Sequence, residues 1–201
     1  GSWQQIVPFR VLDRAGKMRS APRDAVVADV SPPSVRGANF GLLRAMDNLG
    51  ALVGILLCLY LVRTVQLKTV FLIAAVPSVA AVALVLKGVK ENKSASTPLF
   101  KGLSAHKISA DFKLFLFLSS LFSLGSFSYS FLLVLAGETG FSTPSLPLLY
   151  LAFTAAAFLS SVPFGKLADR AGRKNVLALS YVLWAMSCAS FILARGSHAA
   201  V

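Results

Sequence analysis

Residues 69–86, TVFLIAAVPSVAAVALVL, pass without a single charge, and three more runs do the same: 114–136, 144–165 and 175–194. The hydrocarbon core of a bilayer is about 30 Å thick, and a helix needs roughly 20 mainly apolar residues to cross it. Residues 45–62, AMDNLGALVGILLCLYLV, form a fifth such run, with Asp47 near its start. A soluble domain has no use for five apolar runs of spanning length. The whole chain agrees, with 56% hydrophobic residues and a mean hydropathy of +0.71. The expected fold class is therefore all-α, a polytopic transmembrane helical bundle.

The formal net charge of +12 raises the question of nucleic acid. The cations, however, stand at the ends of apolar runs and form no basic face interleaved with stacking aromatics, so no nucleic-acid partner is expected. Lys87, Lys90, Lys93, Lys101, Lys107 and Lys113 share one loop; Lys166, Arg170, Arg173 and Lys174 share another, two runs later. Both loops then lie on one side, and the positive-inside rule makes that side cytoplasmic. The intervening segment 137–143 carries only Glu138. The stretch 88–111 is rich in Ser, Gly and Lys and is expected to be a solvated linker between two helical groups.

Residues 3–29 carry too many charges to read as a span by hydropathy. At about 100° per residue, Arg10, Asp13, Arg14, Lys17 and Asp24 share one arc, while Val11, Ala15, Met18, Pro22 and Val26 lie opposite. Such a helix has one wet face. Either it lies in the cytoplasmic membrane surface, which the basic amphipathic pattern favours, or it crosses the membrane with its polar face lining a water-filled cavity.

The stretch GKLADRAGRK, residues 165–174, joins Gly165, Leu167, Ala168, Asp169, Arg170, Gly172, Arg173 and Lys174 in one short loop. Positive-inside bias alone explains the cations, but not two glycines and an acid at these spacings. The stretch resembles the loop signature of the major facilitator superfamily. RVLDRAGKMRSAPRDAVVAD, residues 10–29, is similar to that family's fourth-helix signature through Arg10, Gly16, Pro22 and Asp29. Where bacterial members have Asp-Arg-x-Gly-Lys-Gly-x-Arg, one glycine is missing here between Lys17 and Met18, an omission that rotates everything beyond it by about 100°.

The resemblance implies a partial major facilitator fold of about six spanning helices, running from the family's fourth helix to its ninth. Residues 3–29 then become a spanning helix. The expected organisation is residues 1–87 as the second half of an N-terminal bundle, 88–111 as a cytoplasmic inter-bundle linker, and 112–201 as the first half of a C-terminal bundle. The implied activity is secondary active transport of a small solute by alternating access, in a multi-pass protein of a bacterial inner membrane. The other class of function is a non-transporting membrane scaffold or transporter remnant. Expected partners are a small-molecule substrate, a coupling ion, anionic lipids at the cytoplasmic loops and the remaining helices of a full-length transporter.

Cys58 and Cys188 stand alone in apolar runs, and His106 and His198 lie far from any Cys or acid cluster, so neither metal nor cofactor is expected. There is no Gly-x-x-x-x-Gly-Lys phosphate loop and no nucleophile elbow, and enzymatic chemistry has no support. Arg44 and Asp47, three apart, can pair on one helix face. With Arg10, Asp13, Arg14, Lys17 and Asp24 they are the candidate transport-pathway residues. Gly37-x-x-x-Gly41 and Gly50-x-x-x-Gly54 would let another backbone approach closely. In the 165–174 loop, Gly165, Asp169, Arg170, Gly172, Arg173 and Lys174 are the candidate cytoplasmic latch: by the family's internal symmetry, Asp169 is expected beside residues 34–44.

Overall fold

The computed structural model describes residues 4, 6–88, 109–126, 129–138, 140 and 146–198. Its α-helices are α1 (Ile6–Ala15), α2 (Ser20–Val30), α3 (Arg36–Leu61), α4 (Leu67–Gly88), α5 (Ala110–Gly125), α6 (Tyr129–Glu138), α7 (Leu146–Ala171) and α8 (Arg173–His198). The chain divides into two compact units, Gly1–Val53 with Leu151–Val201, and Gly54–Tyr150.

In the first unit, the segment read as one amphipathic helix is two α-helices joined by a 3₁₀ turn at Gly16–Arg19. That turn falls where the sequence is one residue short of the family signature. A 3₁₀ helix turns about 120° per residue and rises about 2.0 Å, against about 100° and 1.5 Å in an α-helix. Four such residues recover about 80° of rotation and about 2 Å of rise, close to what one missing residue removes. Positions beyond Lys17 therefore leave the single arc drawn on a straight helix.

Helix α2 ends because Ser31 precedes Pro32, which pushes it to an extended conformation (φ −95°, ψ 122°). Pro32 follows at φ −56°, ψ 142°, and Pro33 opens a short 3₁₀ turn leading into α3. Ser31 is buried, its hydroxyl accepts from Asn39 Nδ2 at 2.9 Å, and its carbonyl accepts from Arg36 Nη2 at 3.4 Å. The helix that follows starts nine residues before the apolar run 45–62, because Arg36-Gly-Ala-Asn-Phe-Gly-Leu-Leu-Arg already packs as helix.

Against α3 lies α7. A Cβ placed on Gly41 would sit 2.5 Å from the Ser161 carbonyl oxygen, and one on Gly165 would sit 2.5 Å from the Gly37 carbonyl oxygen. Only hydrogen fits at these crossings. Ala45, at 1% exposure, continues the seam one turn on, and Asn48 Nδ2 donates to Ser161 Oγ at 3.4 Å. Helix α7 then passes to α8 through Gly172 alone, whose φ of +88° lies in the region that side-chain-bearing residues avoid. Asn175 Nδ2 donates back to the Ala171 carbonyl at 2.8 Å and satisfies one of the last carbonyls of α7.

The second unit holds α4, with Pro77 inside it, and α5, whose start is capped by Ser109 Oγ accepting from Phe112 N–H at 3.3 Å. The uncharged run 114–136 is not one continuous helix. It breaks after Gly125, where Ser126 turns extended (φ −98°, ψ 109°), and resumes at Tyr129. Most of the expected linker 88–111 lies outside the described residues, as does His106.

Pro33–Leu61, Lys68–Gly88 and Leu146–Ala171 are each long and apolar enough to cross a membrane. Among the described residues the only buried hydrophobic side chains are Ala45 and Ala136, whereas Leu86 and Leu124 are 80% and 86% exposed. Apolar surface of that extent is stable only against lipid or further helices.

Candidate functional site: a carboxylate latch above a charge quartet

The first N–H groups of an α-helix have no partner within the helix. At the start of α3 they are taken by Asp169 from the last turn of α7: Gly37 N–H donates to Oδ1 and Ala38 N–H to Oδ2, both at 2.7 Å. One carboxylate thus bridges two adjacent amides with charge-assisted bonds, at the positive end of the helix dipole. A Cβ on Gly37 would lie 2.6 Å from Asp169 Oδ1 and 2.6 Å from the Gly165 carbonyl oxygen. Glycine at 37 is what lets the acid reach the helix end. Asp169 is half-buried, while Arg170, Arg173 and Lys174 are exposed around the turn at Gly172.

One helical turn is about 5.4 Å, so Arg44 and Asp47 lie about 12 and 16 Å along α3 from Arg36. They meet two neighbours on α2. Arg23 Nη1 donates to Asp47 Oδ1 at 2.7 Å, and Arg44 Nη2 donates to Asp24 Oδ2 at 2.7 Å. The contacts within each helix are longer: Arg44 Nη1 to Asp47 Oδ2 is 3.5 Å and Arg23 Nε to Asp24 Oδ1 is 3.8 Å. The four form an electroneutral ring with side chains 32–47% exposed.

Arg44 and Asp47 do pair on one helix face, at 3.5 Å, and each also has a shorter partner on α2. Arg23 was missed as a site residue. A straight-helix projection set Asp24 on the polar arc and ignored its neighbour, whereas two long guanidinium side chains and a 3₁₀ turn bring both residues of the Arg-Asp dipeptide to α3. Its signal was the doublet of opposite pairs, Arg23-Asp24 and Arg44-x-x-Asp47, equal in composition and separated by one turn of chain.

The other pathway candidates do not join this ring. Arg10 and Asp13 pair at 3.7 Å on the exposed face of α1, and Arg14 and Lys17 are exposed beside them. At Gly50 and Gly54 a Cβ would meet nothing within 4 Å, so among the described residues no backbone crosses there. Among the described residues no group of three or more His, Cys, Asp or Glu could hold a metal ion.

No solved structure matches the chain. An uncharacterized MFS-type transporter from Methanocaldococcus jannaschii is 34% identical over 200 residues, covering 94% of this chain and 50% of the relative, so the chain spans half the relative's length. The profile of the Major Facilitator Superfamily matches residues 1–201. With its apolar helices and its carboxylate-bridged helix pair, the chain belongs to the Major Facilitator Superfamily.

Proposed function

We propose that the protein is a secondary transporter that moves a small solute across the membrane by alternating access, and that the Asp169 bridge closes its cytoplasmic side. The observation that carries this reading is the bidentate contact of Asp169 with Gly37 and Ala38, mounted on a crossing that only glycines allow. A carboxylate on a helix end is strong enough to hold two helices together and weak enough to be released in each cycle.

In this reading residues 1–87 and 112–201 contribute three helices each to two bundles, completed by the further helices that a protein of the relative's length contains. The basic residues Arg170, Arg173 and Lys174 sit at the anionic cytoplasmic surface of a bacterial inner membrane. The role is that of a carrier, not an enzyme, and the energy comes from a solute or ion gradient. Of the polar positions, Arg10, Asp13, Arg14 and Lys17 remain the proposed cavity-lining residues.

The test uses the complete protein in proteoliposomes, with Cys58 and Cys188 replaced by Ser and cysteines placed at Asn48 and Ser161. Uptake of labelled sugars, amino acids and organic cations is followed with the bridge oxidised and reduced. The expected result is entry of one solute class, stopped by the disulfide and restored by reductant. Uptake indifferent to the bridge refutes the gate; no uptake of any solute refutes the transporter and leaves a membrane scaffold.

A further inference from the structure

Every member of the charge quartet has two partners of opposite sign. Across the helices, Arg23 meets Asp47 and Arg44 meets Asp24, both at 2.7 Å. Within the helices, Arg23 meets Asp24 at 3.8 Å and Arg44 meets Asp47 at 3.5 Å. Each helix is therefore neutral by itself, carrying one cation and one anion at this level. The closer contacts are the crossed ones, but the alternative set is already in place. Arg23 Nε and Asp24 Oδ1 are buried atoms that have no hydrogen-bond partner and face one another. A small shift closes that gap into a bond.

This arrangement solves a membrane problem. Separating two helices joined by a single ion pair strands one charge on each, and an unpaired charge inside the bilayer is expensive. Here, if α2 and α3 part, Arg23 turns to Asp24 and Arg44 to Asp47, and nothing is stranded. The connection at Ser31–Val35 is short and tied by Asn39 and Arg36, so the movement available is a hinge about that turn. We propose that the quartet is a partner-exchange joint: crossed pairs hold α2 against α3 in one state, in-helix pairs replace them in the other, and Arg23 and Asp24 are positioning residues for that movement. The proposal rests on membrane insertion of these helices and is independent of the Asp169 latch, which involves α7.

The competing description is a permanent clamp, and two electroneutral double variants separate them. Arg23→Gln with Asp47→Asn removes one crossed pair and leaves Arg44 on α3 and Asp24 on α2, so parting the helices strands both. Arg23→Gln with Asp24→Asn removes the in-helix pair of α2 and leaves Arg44 with Asp47, so the helices part freely. Spin labels at the exposed positions Val26 and Leu49 report the α2–α3 distance in the complete protein in lipid nanodiscs. The joint requires two distance populations in the unaltered protein, loss of the longer one in the first variant, and its retention in the second.

A clamp instead holds one short distance in the unaltered protein, and the first variant, which has lost one of the two crossed pairs, is then looser than the unaltered protein rather than tighter. A third variant guards against misfolding in the first: Arg23→Asp with Asp47→Arg keeps four charges and both crossed pairs but places two like charges on each helix. It too should lose the longer population. A single population in the unaltered protein, or equal behaviour of the first two variants, overturns the proposal.

Discussion

Asp169→Asn removes the charge from the bridge while keeping its size. The carboxylate accepts from Gly37 and Ala38 N–H groups, both at 2.7 Å. An amide offers one accepting oxygen, and its NH₂ faces the second N–H donor, so one bond is lost outright. A hydrogen bond to a charged group contributes about 1.5–3 kcal/mol net, and the carboxylate's interaction with the helix dipole adds about 0.3–1 kcal/mol. Asp169 is only half-buried, so the lower ends apply and the sum is about 2 kcal/mol. At 1.4 kcal/mol per factor of ten, the closed arrangement of α3 on α7 becomes about 30-fold less favoured. The assay is the labelling rate of a single cysteine at Ser161, which faces Asn48 inside the seam, by an impermeant maleimide applied to inside-out vesicles. The rate is expected to rise toward 30-fold. Gly37→Ala, whose Cβ would press Asp169 Oδ1 at 2.6 Å, should raise it as well, and combining the two should add little because both act on one contact. An increase under threefold for Asp169→Asn, with Gly37→Ala fully active in the same assay, would refute the reasoning: the glycines alone would then hold the seam.

Gly41→Ala is expected to force α3 from α7 by overpacking, costing about 1–3 kcal/mol, and to raise the same labelling rate, whereas Gly50→Ala, with nothing within 4 Å of its Cβ, should leave it unchanged. Gly172→Ala places a side chain at φ +88° and should cost about 1–2 kcal/mol in that turn, measured as faster hydrogen exchange at the Val176 N–H that bonds to the Gly172 carbonyl. A cysteine at Ser94, in the lysine-rich stretch, should react with an impermeant reagent only after cells are opened; labelling on intact cells would reverse the topology.

What the sequence determined by itself was whatever depends on local composition. The uncharged run 69–86 and most of the run 144–165 fall within helices long and apolar enough to cross a membrane, since the thickness of a bilayer sets a length that a run of residues either meets or does not. Gly172 between Arg170 and Arg173 marked a turn, because positive φ is a single-residue property. The pairing of an acid at 169 with a helix start near Gly37 was accessible through the family's repeated architecture, although nothing within either stretch names the other.

Tertiary structure decided the rest. Whether Gly41 or Gly50 admits a neighbouring backbone is invisible in two identical Gly-x-x-x-Gly spacings, because the choice depends on where α7 crosses α3. The partner of Asp47 was likewise undetermined. Arg44 is near in sequence, but the shorter bond goes to Arg23, which reaches α3 only after a 3₁₀ turn at Gly16–Arg19 has reset the rotation of α2. The break at Gly125–Ser126 interrupts a run that hydropathy treats as continuous, since transfer free energy registers side chains and not backbone angles. Charges pair across space at distances of a few ångströms, and a linear pattern constrains those distances only within one or two turns of the same helix.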